Sequence, residues 1–288
     1  MLTRRDWLKL AASTGAASAL TPLGGCKTQD PTAQARAAKE AAAVSPVPAP
    51  VVTDPDPTIG VRRAMDRGIV DRGWLKARHS FSFASYRDPK WRAFSHLRVI
   101  NEDTIQPQGG FPLHPHRDME IITYLLKGEL EHKDTLGNGG VIRPGEVQYM
   151  SAGSGIRHSE FNATSDKEVH LLQIWLTPNR RSAQPRYASR HFGDERNNEL
   201  RLIASPDGRD GSIDIVQDTN LYAAVLRSGT ELTHGLGPNR NMWLQVAKGS
   251  LTLNGHVLQQ GDGAYSTEAF GLEMRANEDT EFLLFDLG

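Results

Sequence analysis

Two residue pairs at i, i+2 spacing carry the chemistry that stands out in this chain: His114-Pro115-His116 and His158-Ser159-Glu160. Alternate side chains of an extended segment point to one side, so each pair can aim two ligand atoms at a common point. Pro115 restricts His114 to extended backbone and so helps to hold that arrangement. Three neutral imidazoles and one carboxylate make a mixed nitrogen and oxygen site for one divalent first-row metal. Four protein ligands on a metal that accepts six leave two positions for water, substrate or dioxygen. The other histidines, His79 and His132 among them, read as isolated and structural, with His170 and Gln173 candidates at most for a place close behind the ligands.

Such ligands need strands to hold them. Gly (27) and Pro (16) fall between short runs rich in Val, Ile, Leu, Tyr and Thr, the texture of an all-β protein with many turns. A repeat is visible within it. Tyr124-Leu125-Leu126-Lys127-Gly128 is echoed by Leu244-Gln245-Val246-Ala247-Lys248-Gly249, with the Lys-Gly pairs 121 residues apart. Pro144-Gly145-Glu146 is echoed by Gln260-Gly261-Asp262, the turn glycines 116 apart. Two β-barrels of one architecture follow, at 60–180 and 181–288. Shifting by 121 sets His114 and His116 opposite Gly235 and Gly237, and shifting by 116 sets His158 and Glu160 opposite Met274 and Ala276. The metal site is therefore expected in the first barrel alone.

The N-terminus reads as an address. Arg4-Arg5, followed by Trp7-Leu8-Lys9 and an apolar run to Leu23, resembles a twin-arginine export signal over 1–26, which implies a periplasmic protein. Leu23-Gly24-Gly25-Cys26 resembles a lipobox, so lipidated Cys26 would anchor the chain to a membrane; cleavage after Ala17-Ser18-Ala19 is the other reading. The Ala- and Pro-rich stretch at 27–59 has no apolar period and is expected to be a tether. Cys26 is the single cysteine, which excludes internal disulfides and a cysteine-based zinc site. Lysine plus arginine (33) balance aspartate plus glutamate (34), so no global field favours nucleic acid as a partner.

Gly109-Gly110-Phe111-Pro112-Leu113-His114-Pro115-His116-Arg117, with Gly155-Ile156-Arg157-His158-Ser159-Glu160, resembles the pirins of the cupin superfamily, and most of all the bacterial pirins associated with quercetin 2,3-dioxygenase activity. The resemblance runs from about Val61 to the C-terminus. It implies a bicupin fold, all-β, with one metal held by His114, His116, His158 and Glu160; Fe(II) is the first expectation, and Cu, Mn, Co, Ni and Zn are compatible. Generic cupins draw their carboxylate from a position matching Glu120, whereas pirins draw it from the second motif, so Glu120 is expected behind the ligands. The implied activity is dioxygenase chemistry, with dioxygen, on a flavonol or another enolisable aromatic, and Glu160 is the candidate catalytic base. The alternative is a metal-dependent binding or sensor module without turnover. A monomer is expected.

Overall fold

Continuous apolar runs, rather than alternating ones, mark the centre of the molecule. Glu120–Lys127, Asn241–Lys248 and Thr280–Leu287 are buried along almost their whole length, as strands covered on both faces must be. The computed structural model describes residues 55–268 and 271–288. The export signal, Cys26 and most of the tether lie outside the described residues.

In the first half run β1 (Gly60–Arg62), β2 (Gly68–Asp71), β3 (Leu75–His79), β4 (Leu97–Ile105), β5 (Gly110–His116) and β6 (Glu120–Lys127). Then come β7 (Leu130–Asp134), β8 (Gly139–Ile142), β9 (Glu146–Ser151), β10 (Ile156–Asn162), β11 (Val169–Leu176) and β12 (Arg186–His191). The second half contains β13 (Arg201–Ser205), β14 (Ile213–Asp214), β15 (Thr219–Leu226), β16 (Glu231–Gly235) and β17 (Asn241–Lys248). It ends with β18 (Ser250–Leu253), β19 (His256–Gln259), β20 (Gly263–Ser266), β21 (Gly271–Ala276) and β22 (Thr280–Leu287). Among the described residues no helix is long and apolar enough to cross a membrane.

These strands form two all-β barrels, each built from a seven-stranded and a four-stranded sheet. The first combines β12-β9-β6-β11-β4-β3-β2 with β5-β10-β7-β8; the second combines β1-β20-β17-β22-β15-β13-β14 with β16-β21-β18-β19. The two large sheets share a core, in which Ile122, Tyr124 and Leu172 of the first meet Trp243, Leu283 and Phe285 of the second. Leu244, Val246, Phe282 and Leu284, of opposite parity on β17 and β22, fill the second barrel instead.

The sequence echoes mark equivalent turns. Gly128 (φ 83°) and Gly249 (φ 76°) are both left-handed, and a Cβ would fall 2.6 Å from the Glu168 carbonyl at one and 2.3 Å from that of Asp279 at the other. The boundary at 180/181 divides the sequence but not the sheets. β1 pairs with β20, Gly60 opposite Tyr265, and β12 pairs with β9, Arg186 opposite Ser151. Each barrel thus borrows a strand from the other half.

Candidate metal centre

β5 and β10 bring the two i, i+2 pairs side by side. His158 lies opposite His114 and Ile156 opposite His116, after which the register slips so that Glu160 faces Phe111. Pro112 and Leu113 together oppose Ser159, a bulge in which Pro112 has no ladder N–H to lose. Gly110 permits the close approach: a Cβ there would lie 2.5 Å from the Glu160 carbonyl oxygen.

The ligand atoms of His114, His116 and His158 fall within 4.8 Å of one another. His132, His158 and Glu160 form a second group within the same limit, and His158 belongs to both. The ring nitrogens are set up for a cation. His114 Nδ1 donates to the Pro112 carbonyl at 2.8 Å, which leaves Nε2 with its lone pair. His158 Nδ1 faces His132 Nδ1 at 3.4 Å, and His132 Nε2 faces Asp134 Oδ2 at 3.3 Å. With the His132 proton on Nε2, His158 donates from Nδ1 and again presents a bare Nε2. That Nε2 is buried and has no partner among the described residues, so the set fits a divalent metal. Burial, reinforced by the neighbouring imidazoles, pushes both His116 and His158 down to about 3, so neither carries a proton that a metal must displace near neutral pH.

Glu160 is 3% exposed and held on both oxygens. Gln173 Nε2 donates to Oε2 at 2.9 Å, Gln148 Nε2 donates to Oε1 at 3.3 Å, and the Thr123 hydroxyl stands 3.4 Å from Oε1. Gln173 is therefore where the sequence placed it. His170 is not: its Nε2 meets Glu102 at 2.9 Å, away from the cavity. Nor is Glu120. Alternation along β6 turns Thr123 toward Glu160 and Glu120 to the opposite face, where its carboxylate accepts from Tyr149, from Ser151 Oγ at 2.6 Å and from the Val216 N–H at 3.0 Å. The isolated reading of His132 also gives way, since β7 pairs with β10 and sets His132 opposite Glu160 and Asp134 opposite His158. His132 and Asp134 share an i, i+2 spacing of their own, and that was the available signal.

Asp134 should therefore tune the site. Desolvation opposes its charge, but hydrogen bonds from the Asn138 side chain, the backbone N–H groups of Asn138 and Leu136, and His132 hold its carboxyl below the usual range. Asp134→Asn keeps an oxygen for the turn but removes the anion behind His132. It is expected to lower metal affinity by about 10–100-fold, as loss of such an outer partner usually does. Competition against a chelator measures this, and unchanged affinity would remove Asp134 from the site.

The centre opens on a cavity of about 240 Å³. Val70, Leu75, Phe111, Ile121 and Trp175 supply apolar walls, while His79, Asn101 and Asp103 line it from the large sheet. Trp175 meets the His116 ring edge to face at 4.9 Å and Phe83 at 5.2 Å. In the second barrel Met274 and Ala276 occupy the positions matching His158 and Glu160, and both belong to its apolar core.

The Pirin family model matches residues 60–176, and the model for the quercetinase C-terminal cupin domain matches 202–287. A quercetin 2,3-dioxygenase of Escherichia coli K12 is 44% identical over 229 residues, covering 80% of this chain and 98% of that protein. A pirin-like protein of Caulobacter vibrioides is 41% identical over 228 residues, covering 78% and 98%. The crystal structure of the Escherichia coli bacterial pirin YhhW in complex with nickel(II) superposes with a TM-score of 0.76 at 44% identity, covering 80% and 98%.

Proposed function

Because this chain belongs to the pirin family, we propose that it is a metal-dependent dioxygenase acting on quercetin or a related enolisable aromatic, with His114, His116, His158 and Glu160 as the ligands. One observation carries the reading: bare imidazole nitrogens and a buried carboxylate converge on an apolar cavity that a flat aromatic ring can enter. The bound metal, for which Fe(II) is our first choice, would supply Lewis acidity toward a substrate hydroxyl and a partner for dioxygen. The chain does the rest. Val70, Phe111, Ile121 and Trp175 bind the ring and exclude water. Glu160, positioned by Gln173 and Gln148, would take the proton of a substrate hydroxyl once its own bond to the metal lets go.

The export reading accompanies this one. A twin-arginine signal would deliver the barrel already folded and metal-loaded to the periplasm, with Cys26 as a lipid anchor. Metal analysis and Cys26 mass from the native host test both parts; unmodified Cys26 removes the anchor.

The decisive assay supplies quercetin and oxygen to metal-loaded protein and reads carbon monoxide release with loss of substrate. Turnover that disappears on chelation is the expected result. Metal-dependent binding of quercetin without turnover would replace this reading with that of a binding or sensor module.

A further inference from the structure

Five buried polar atoms around the cavity lack a hydrogen-bonding partner among the described residues: His158 Nε2, Trp175 Nε1, His79 Nδ1, Asn101 Oδ1 and Asp103 Oδ1. Folded proteins rarely leave such atoms unpaired, and a cluster of them in one cavity calls for partners that the chain does not supply. The metal accounts for His158. It does not account for His79, Asn101 and Asp103, which come from β3 and β4 of the seven-stranded sheet, whereas the four ligands come from the four-stranded sheet that faces it.

Register explains how the three come together. His79 lies opposite Asn101, Asn101 opposite Gln173, and Gln173 opposite Thr123, so one polar row crosses β3, β4, β11 and β6. Asp103 sits two residues along β4 from Asn101 and shares its face. The Gln173 and Thr123 end of the row is satisfied through Glu160. The His79 and Asn101 end is not, although both side chains are only 3% exposed and Asp103 only 4%.

We propose that His79, Asn101 and Asp103 form a second polar subsite, which reads a hydroxyl on the part of the substrate that does not reach the metal. This rests on the reading of the cavity as an aromatic-substrate site. The chemistry of the wall selects the group. Asn101 Oδ1 is an acceptor, and Asp103, whose carboxyl is pushed up to about 7 by burial and by the nearby Glu160 and Glu102, accepts when ionised, so a donating group on the ligand suits both. A phenolic hydroxyl donates and a methyl ether does not; a carboxylate would be repelled by the ionised form of Asp103. Burial pushes His79 down to about 4, which leaves a neutral imidazole able to donate to or accept from the same hydroxyl. A site built for a hydroxyl discriminates strongly against analogues that lack it, because its own polar groups then stay buried and unpaired.

The test uses nickel(II)-loaded protein under argon, with binding read by tryptophan quenching so that turnover plays no part. The probes are quercetin and 3-hydroxyflavone, which keeps the metal-facing hydroxyl and lacks the others. Wild type is expected to favour quercetin by about tenfold or more, and Asn101→Leu and Asp103→Leu to reduce that preference to about threefold or less while retaining one nickel. Replacing unpaired polar groups with apolar ones should also raise the thermal midpoint, by roughly 2–4 °C. A quercetin preference that survives in both variants overturns the proposal. So does a wild type that binds the two probes equally, with the aromatic-site reading left standing. A wild type that binds neither overturns both.

Discussion

His158→Ala is expected to abolish metal retention, lowering affinity by well over the ~100-fold limit for outer partners. His158 is the one residue common to both compact donor groups, so its loss leaves neither with three ligands. It also leaves His132, Asp134 and a bulge-shaped strand arranged around nothing. Metal content after dialysis, with circular dichroism to show that the barrel persists, decides the matter. Folded protein that still carries one equivalent of metal would mean that the centre lies elsewhere. Glu160→Ala and His132→Ala then separate the two groups. If Glu160 is the fourth ligand and His132 only orients His158, the first substitution loses the metal and the second weakens it.

The second large effect concerns the junction between the barrels. Glu281 on β22 lies within 3.0 Å of Arg196 and 2.7 Å of Lys248, and it accepts a hydrogen bond from Tyr124 on β6 at 2.7 Å. Arg196 and Glu281 are 7% and 8% exposed, so water replaces little of what is lost if one partner goes. Glu281→Ala leaves the buried Arg196 guanidinium without its carboxylate and the Tyr124 hydroxyl proton without an acceptor, with only the Arg196 bonds to Tyr124 and to the Gly193 carbonyl remaining. Breaking a buried pair in this way costs about 3–5 kcal/mol. For a protein of this size that is a fall in thermal midpoint on the order of 10 °C. Denaturant titration and calorimetry measure it. A loss under about 1 kcal/mol would show the pair to be solvated in practice, as exposed ion pairs are. Glu281→Gln, which keeps an acceptor for Tyr124, should recover part of the loss.

The parts of the site that the sequence revealed are those written in one strand. His114 with His116 and His158 with Glu160 obey the two-residue period, and β5 and β10 display them as that period requires. The repeat was legible for a similar reason: a left-handed turn beside a close carbonyl admits little but glycine, so Gly128 and Gly249 keep the register of both barrels visible. What depends on pairing between strands was hidden. His132 meets His158 only because β7 lies beside β10, and His79, Asn101 and Gln173 form a row only across three strands. Glu120 stands where generic cupins draw their carboxylate, which suggests a place behind the ligands, but the parity of β6 assigns it to the junction with Val216. The exchange of β1 and β12 leaves no local trace at all, since neither strand's partner is near it in the chain.

That exchange has a temporal consequence. During synthesis from the N-terminus, β1 is the first described strand to be made, yet its partner β20 spans Gly263–Ser266, close to the end of the chain. The edge of β9 likewise stays open until β12 has been made. All strands of the metal-binding barrel have therefore been made by His191, before β13 begins, whereas the second barrel waits for β20, and contacts so distant in sequence form slowly. For a chain proposed to leave the cytoplasm folded, that last strand pairing acts as a release condition: the metal-binding barrel can close well before export readiness, which waits for the second barrel.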